Sequence, residues 1–302
     1  MGLETDRIIC KSVTIGVVFQ DTDAVVERLA TSLSKIDLSN CSEIVVVDNA
    51  SKNEQAINFF DTIANVKIIK IRNSVRMPLA FNRNQAFRHG TGDILLFIDS
   101  DVEFIQEDFL NVGIDNFNRY NCDLCSPVIL GHDGNIQSFG VEKIAGLPYI
   151  LKAVKEIRAK VTEVDMIFGA CFLCRRSVME RIGGFDEYMA PFNFEEADFA
   201  IRAKLYGYDI IATSNIKILH YGKSTSGKFD PRYRAYLLIS HALRSIRRNY
   251  SGLRRITISL LFLFGAQARM LVEFKTYFGG FVIPKAVIFL MNDINPEQIY
   301  ID

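Results

Sequence analysis

The chain has 302 residues, of which 49% are hydrophobic and 23% charged, with 35 basic against 35 acidic side chains. Such a composition belongs to a globular protein with a full core, one large domain or a catalytic domain with an appendage. A net charge of zero excludes bulk attraction to nucleic acid.

In chain order, residues 13–19 form an apolar run of strand length, followed by a helical pattern at 22–36. Residues 43–47 read as a second strand, 53–64 as a helix and 66–71 as a third strand. Residues 78–90 open with Pro78 and close with Gly90, as helices prefer. Strand 93–98, helix 107–120 and strand 122–130 follow. Short apolar strands separated by helices predict an α/β fold, a parallel sheet covered on both faces. Beyond this point 135–142 and 164–175 read as strands. A Gly183-Gly184 turn leads to a helix at 194–207, and 209–219 reads as another strand. From Asp230 the pattern is helical, with Tyr236, Ile239, Leu243, Ile246 and Tyr250 on one face. The first strand lacks a Gly-x-Gly-x-x-Gly turn and no Gly-x-x-x-x-Gly-Lys-Ser/Thr occurs, which speaks against dehydrogenases and P-loop NTPases.

The sharpest local signal is Leu95-Leu96-Phe97-Ile98-Asp99-Ser100-Asp101. An apolar strand runs into two carboxylates two residues apart, on one face, at the sheet edge where open α/β proteins bind ligands. Oxygen ligands there suit Mg²⁺ or Mn²⁺, or else the acids cap a solvated turn. Asp48 ends the second strand at the same edge; it can accept from a pyrimidine N–H or serve an Asx-turn. Arg83 suits a phosphate or a salt bridge. Around Glu195, Glu196 and Asp198, three acids gather in one turn beside aromatic residues. They suit general-base chemistry, or complement the helix dipole with Asp198 paired to Arg202 at i,i+4. His220, after the last strand, is a packed side chain or a further metal ligand. Cys122-x-x-Cys125 and Cys171-x-x-Cys174 fall in strand-like runs whose alternation turns the two thiols to opposite faces, so buried free cysteine is expected rather than zinc.

Taken in order, these pieces resemble the family-2 glycosyltransferases of the GT-A fold. The resemblance rests on residues 13–19, Val46-Val47-Asp48-Asn49-Ala50-Ser51, Asn82-Arg83-Asn84, residues 92–101 and 168–175. It continues through Gly183-Gly184-Phe185-Asp186-Glu187, Glu195-Glu196-Ala197-Asp198-Phe199 and His220-Tyr221-Gly222-Lys223-Ser224. It spans about residues 12–225. It implies a catalytic domain over 1–225, with a nucleotide-binding half at about 12–130 and an acceptor half at about 131–225. The activity it implies is inverting transfer of a sugar from a nucleoside-diphosphate sugar to an acceptor hydroxyl. By the same resemblance, Asp48 reads the donor base, Asp99 is the ribose-side acid, and Asp101 and His220 hold Mn²⁺ or Mg²⁺. Gly169 and Ala170 wall the donor sugar. Phe19, Arg83, Asn84 and Ser100 complete the donor site. Glu196 is the implied base, where the family more often has Glu-Asp, and Glu195, Asp198 and Arg202 support it. His-x-x-x-Ser at 220–224 is similar to rhamnosyl- and galactofuranosyltransferases. The implied partners are a UDP- or dTDP-sugar and a glycan or lipid-linked glycan acceptor, in cell-surface polysaccharide or O-antigen assembly.

Beyond residue 225 the resemblance fades into a helical C-terminal region, 226–302. Between 223 and 255 nine Lys/Arg face one acid, Asp230, so this region suits an anionic membrane surface, or else a homo-oligomer contact. Residues 1–11 carry charge and no apolar run, and the best apolar stretches, 256–265 and 278–291, are too interrupted to span a bilayer. A cytoplasmic protein, peripheral on the inner face of the cell membrane, is expected. The competing readings are a nucleotidyltransferase, weakened by the acidic Asp21 and Asp23 after strand 1, and a non-catalytic nucleotide-sugar or glycan-binding module.

Overall fold

The structure, a computed structural model, describes residues 9–147, 149–222 and 229–274. Lys223, Ser224, Lys228 and the apolar stretch 278–291 lie outside the described residues. In chain order the first half runs β1 (Val13–Phe19), α1 (Asp23–Leu33), β2 (Cys41–Asp48), a 3-10 helix (Ala56–Thr62), β3 (Lys67–Arg72), α2 (Leu79–His89) and β4 (Ile94–Asp99). It continues with β5 (Val102–Phe104), α3 (Phe109–Tyr120) and β6 (Leu124–Leu130). The second half adds β7 (Ile136–Ser138), β8 (Val141–Lys143), β9 (Leu151–Ala153), β10 (Val161–Glu163), β11 (Cys171–Arg175), α4 (Arg176–Ile182) and α5 (Glu195–Leu205). It ends with β12 (Ile210–His220), α6 (Pro231–Asn249) and α7 (Gly252–Phe274).

The main sheet has the strand order β10-β12-β6-β11-β4-β1-β2-β3, with β5 on β12 and β7 on β6. Strands β3, β2, β1 and β4 are mutually parallel, and β11 runs antiparallel between β4 and β6. Fold class is therefore as expected: α/β, with a mostly parallel sheet. Burial follows from composition. Leu95, Leu96, Phe97 and Ile98 of β4 are at most 3% exposed because the sheet is covered on both faces. Each contributes about 1.5–3 kcal/mol by burial. Gly16 lets α2 lie close on β1, since a Cβ there would come within 2.8 Å of the Ala86 Cβ.

Several boundaries differ from the sequence reading. Residues 53–64 hold a 3-10 helix, not an α-helix. The predicted strand 135–142 is split into β7 and the start of β8, because Gly140 takes φ +77. Of 164–175 only Cys171–Arg175 is strand; Phe168, Gly169 and Ala170 just before it line the cavity described below, while Val164, Met166 and Ile167 enter the core. Strand β5 and helix α4 were not anticipated. All six cysteines are free, five of them buried.

The described part of the C-terminal region, α6 and α7, packs onto the rest of the chain. Ile239, Leu243 and Ile246 of α6 and Ile258, Phe262 and Ala266 of α7 join the same core as Phe172 and Phe199. Two ion pairs reinforce this seam, from Arg244 Nε to Asp186 Oδ2 (2.8 Å) and from Arg248 Nη1 to the same oxygen (2.9 Å). Burial opposes the Asp186 charge, but the two arginines outweigh it and hold the carboxyl below its ordinary range. A depressed carboxyl contributes stability that is present above the unfolded pKa and lost as pH falls through the folded one. Asp186→Asn should therefore flatten the acid limb of stability below about pH 4. Denaturant titrations between pH 3 and 6 measure it, and an unchanged acid limb would contradict the pairing.

Helix α7 exposes Leu253 (78%), Ile256 (53%), Leu260 (63%) and Phe264 (78%) in a stripe, beside the exposed Arg254 and Arg255. No helix among the described residues is long and apolar enough to cross a membrane.

Candidate active site

A cavity of about 710 Å³ opens at the carboxyl ends of β1 and β4, within the size range of small-molecule sites. Its lining includes Phe19, Arg83, Asp99, Ser100, Asp101, Gly169, Ala170, Glu195, Glu196 and His220. Residues as distant in sequence as Phe19 and His220 are thus brought to one place.

Strand register explains the acid–imidazole cluster. β5 pairs antiparallel with the end of β12, setting His220 opposite Val102 and so beside Asp101. The Tyr221 N–H donates to the Asp101 carbonyl (3.0 Å), which fixes the join. His220 Nε2 lies 3.3 Å from Asp101 Oδ1, and its Nδ1 lies 2.8 Å from Gln137 Oε1. Gln137 also donates from Nε2 to the His220 carbonyl (2.8 Å), so one amide grips the histidine twice. With Nδ1–H donating to Gln137, Nε2 is the ring atom turned to the carboxylates, able to donate to Asp101 when protonated or to ligate an ion when not. Burial disfavours the imidazolium, yet Asp101 and Asp99 outweigh it and raise the pKa. One ligand atom each from Asp99, Asp101 and His220 falls within 4.8 Å of the others, which could hold a divalent ion. Two hard carboxylate oxygens and an oriented imidazole form a chemically suitable donor set for Mn²⁺ or Mg²⁺.

Arg83 organises the floor. It is 3% exposed and donates to Asp99 Oδ1 (3.0 Å), Glu195 Oε1 (3.0 Å) and the Gly169 carbonyl (2.9 Å). Of the two roles open to Arg83, phosphate or salt bridge, it makes the second with two protein acids, although it still borders the cavity. The Asp99 side chain keeps 37% exposure. That exposure is to the cavity, and desolvation by the surrounding protein, with the nearby Asp101, pushes its carboxyl up against the pull of Arg83 and His220. Glu195 is 2% exposed, and its Oε2 has no hydrogen-bond partner. Burial first, then Glu196, raise it to about 8 despite Arg83. Glu196 is half-buried, and a Cβ placed on Gly169 would lie 2.9 Å from its Oε1. The second glutamate therefore faces Gly169 at the cavity wall, while the first is tied into the floor.

Other sequence-assigned residues lie elsewhere. Asn84 does not border the cavity. It bonds the Phe185 backbone through both amide atoms (3.0 and 2.9 Å) and Glu187 (2.8 Å), locking α2 to the Gly183-Gly184 turn. Its assignment to the donor is corrected. Asp48 is fully buried behind the wall, paired with Arg72 and accepting the Ser51 N–H (2.9 Å), while its neighbour Asn49 lines the cavity. Asp198 and Arg202 pair at 2.8 Å as the i,i+4 spacing predicts, and Asp198 also meets Arg248, away from the cavity lining. Gln137, Arg72 and Arg248 were missed; only the Arg244/Arg248 spacing on a helix carried any signal.

The sequence pattern of glycosyl transferase family 2 matches residues 14–183. Among curated proteins, the O-antigen biosynthesis protein RfbC of Myxococcus xanthus is 22% identical over 240 residues, 76% of this chain and 19% of that protein. The uncharacterized protein y4gI of Sinorhizobium fredii is 23% identical over 205 residues, 64% of this chain and 23% of its own length. The chain thus spans about a fifth of the length of these relatives. Among solved structures, S. aureus TarS 1-349 in complex with UDP-GlcNAc superposes with a TM-score of 0.64 at 16% identity, covering 87% of this chain and 74% of that one. The mannosyltransferase PcManGT from Pyrobaculum calidifontis, in complex with GDP-Man and Mn²⁺, gives 0.58 at 17% identity, covering 96% and 83%. These likenesses show the GT-A fold.

Proposed function

The chain belongs to glycosyl transferase family 2, and on that premise we propose that it is an inverting, metal-dependent glycosyltransferase using a nucleoside-diphosphate sugar, UDP- or dTDP-linked. The observation that carries the reading is the convergence of Asp99, Asp101 and His220 with Glu196 on one cavity. Asp101 and His220, with Asp99 in reach, would hold the ion. When bound, Mn²⁺ or Mg²⁺ supplies positive charge that stabilises a departing diphosphate. Asn49 and Phe19 border the cavity at the ends of β2 and β1, where the nucleoside fits, with Asp48 and Arg72 behind them. Gly169 and Ala170 leave room for the donor sugar against Glu196. Glu196 takes the proton from the acceptor hydroxyl as that oxygen bonds to the anomeric carbon and the bond to the diphosphate breaks. A single displacement inverts the anomeric configuration and needs no second nucleophile.

The O-antigen protein among the relatives supports an acceptor in cell-surface polysaccharide assembly. The histidine context favours rhamnose or galactofuranose as the sugar. The exposed stripe of α7 beside Arg254 and Arg255 suits an anionic membrane surface; equal recovery with neutral and anionic vesicles would remove that part. The direct experiment is NMR of the product formed from an α-linked donor. A new β-glycosidic signal with release of nucleoside diphosphate, lost on chelation, is expected. Retained configuration would overturn the single displacement.

A further inference from the structure

The cavity rim carries a row of aromatic rings that the donor chemistry leaves unused. Phe192 stands just before α5, Phe229 just before α6, and Tyr233 in the first turn of α6. Ring centroids are 4.9 Å apart for Phe192 and Phe229 and 6.0 Å for Phe229 and Tyr233, so the three form one shelf. All three line the cavity and all are only half-buried. Contiguous apolar surface left partly in water along a cavity marks a place where something binds.

The shelf is braced against the catalytic helix. Asn193 and Phe194 both take left-handed backbone (φ 83 and 79), turning the chain between Phe192 and Glu195. The Asn193 side chain donates to the Arg234 carbonyl (3.2 Å), and its own carbonyl lies 2.6 Å from His241 Nδ1. The Asp230 side chain caps α6 by accepting the Arg232 N–H (2.6 Å). Phe192 and the first turn of α6 are therefore held together, a few residues from Glu196. Arg234 also borders the cavity; it is exposed and makes no ion pair among the described residues.

We propose that Phe192, Phe229, Tyr233 and Arg234 form the acceptor subsite, and that it takes the terminal sugar ring of a glycan bearing an anionic group. The proposal rests on reading the cavity as a nucleotide-sugar site. A pyranose ring presents a face of C–H groups to an aromatic shelf while its hydroxyls project from the edge. Stacked there, it offers a hydroxyl towards Glu196 at the end of the same brace. The guanidinium next to the shelf, which has no acid partner among the described residues, matches a carboxylate or a phosphate ester, both of which it binds as a planar fork.

The test uses the full chain loaded with UDP (or dTDP, whichever binds) and diamagnetic Mg²⁺, and saturation-transfer NMR with methyl glucoside, methyl glucuronide and glucose 1-phosphate. Transfer to the ring protons of all three is expected, stronger for the two anionic sugars; the relative signals of glucuronide and phosphate identify the source of charge. Phe229→Ala and Tyr233→Ala should each weaken binding by about fivefold while nucleotide affinity stays within about twofold. Arg234→Gln should remove only the anionic advantage. No transfer to any sugar while nucleotide binds, or signals unmoved by both aromatic variants, would overturn the shelf; equal signals from all three sugars in the wild type would overturn the anionic preference. Loss of nucleotide affinity in the aromatic variants would hand the shelf to the donor. A wild type that binds no nucleotide would instead overturn the underlying nucleotide-sugar reading, and the subsite with it.

Discussion

Replacing Glu196 with glutamine should leave donor binding within about twofold of the wild type and slow transfer by about 10²–10⁴-fold, the range for loss of a positioned general base. The substitution keeps size and hydrogen bonding but removes the proton acceptor. Glu196 is suited to the role because it is half-buried at the cavity wall beside Gly169. Neighbouring Glu195 is poorly placed for it, being fastened to Arg83 and 2% exposed. Asp198 is fully buried and bound by Arg202 and Arg248. Single-turnover rates with saturating donor measure the effect. A Glu196→Gln enzyme with near-normal turnover, alongside an inactive Glu195→Gln enzyme, would move the base to the first glutamate.

The second large effect is on stability. Arg83→Met should cost about 3 kcal/mol at pH 7, the low end for breaking a buried ion pair because Asp99 remains 37% exposed. The guanidinium satisfies Asp99, Glu195 and the Gly169 carbonyl at once, and methionine satisfies none of them. The loss should grow with pH. Burial raises the Glu195 carboxyl to about 8 in the folded protein, above its ordinary value. Such a group favours the folded state fully below the unfolded pKa, and that contribution is lost as pH rises through about 8. Without Arg83 the ionised form has no counter-charge, so the variant should weaken further between pH 7 and 9. Adding Glu195→Gln should recover part of the deficit. Denaturant unfolding at pH 6, 7 and 9 measures this; a variant as stable as the wild type at all three would contradict the buried hub.

What the sequence reveals here is what local pattern encodes. The run from Leu95 to Asp101 places two acids after a strand buried on both faces, and the structure has both acids in the cavity. Tyr236, Ile239, Leu243, Ile246 and Tyr250 share a helix face by spacing alone, and α6 buries the middle three. The pairings of long side chains are not local. Arg83 meets Glu195 across 112 residues, and His220 meets Gln137 across 83. No spacing rule announces either. The resemblance sets Asn84 beside Arg83 in the donor site, yet successive helix residues point about 100° apart, and Asn84 turns to the Phe185 backbone. The three-residue strand β5 was too short for periodicity to mark, although its register with β12 is what carries His220 to Asp101.

The measurement closest to the central claim is a thermal-shift panel of UDP-, dTDP- and GDP-sugars with and without Mn²⁺, on the wild type and on Asp101→Asn. Binding to the folded state alone raises the melting temperature by an amount that grows with the logarithm of ligand concentration over its dissociation constant. Stabilisation of the wild type by one donor, present only with the ion and abolished by Asp101→Asn, is the predicted result. The same shift without metal or in the variant, or no shift with any donor, would contradict a metal-dependent nucleotide-sugar site at Asp99, Asp101 and His220.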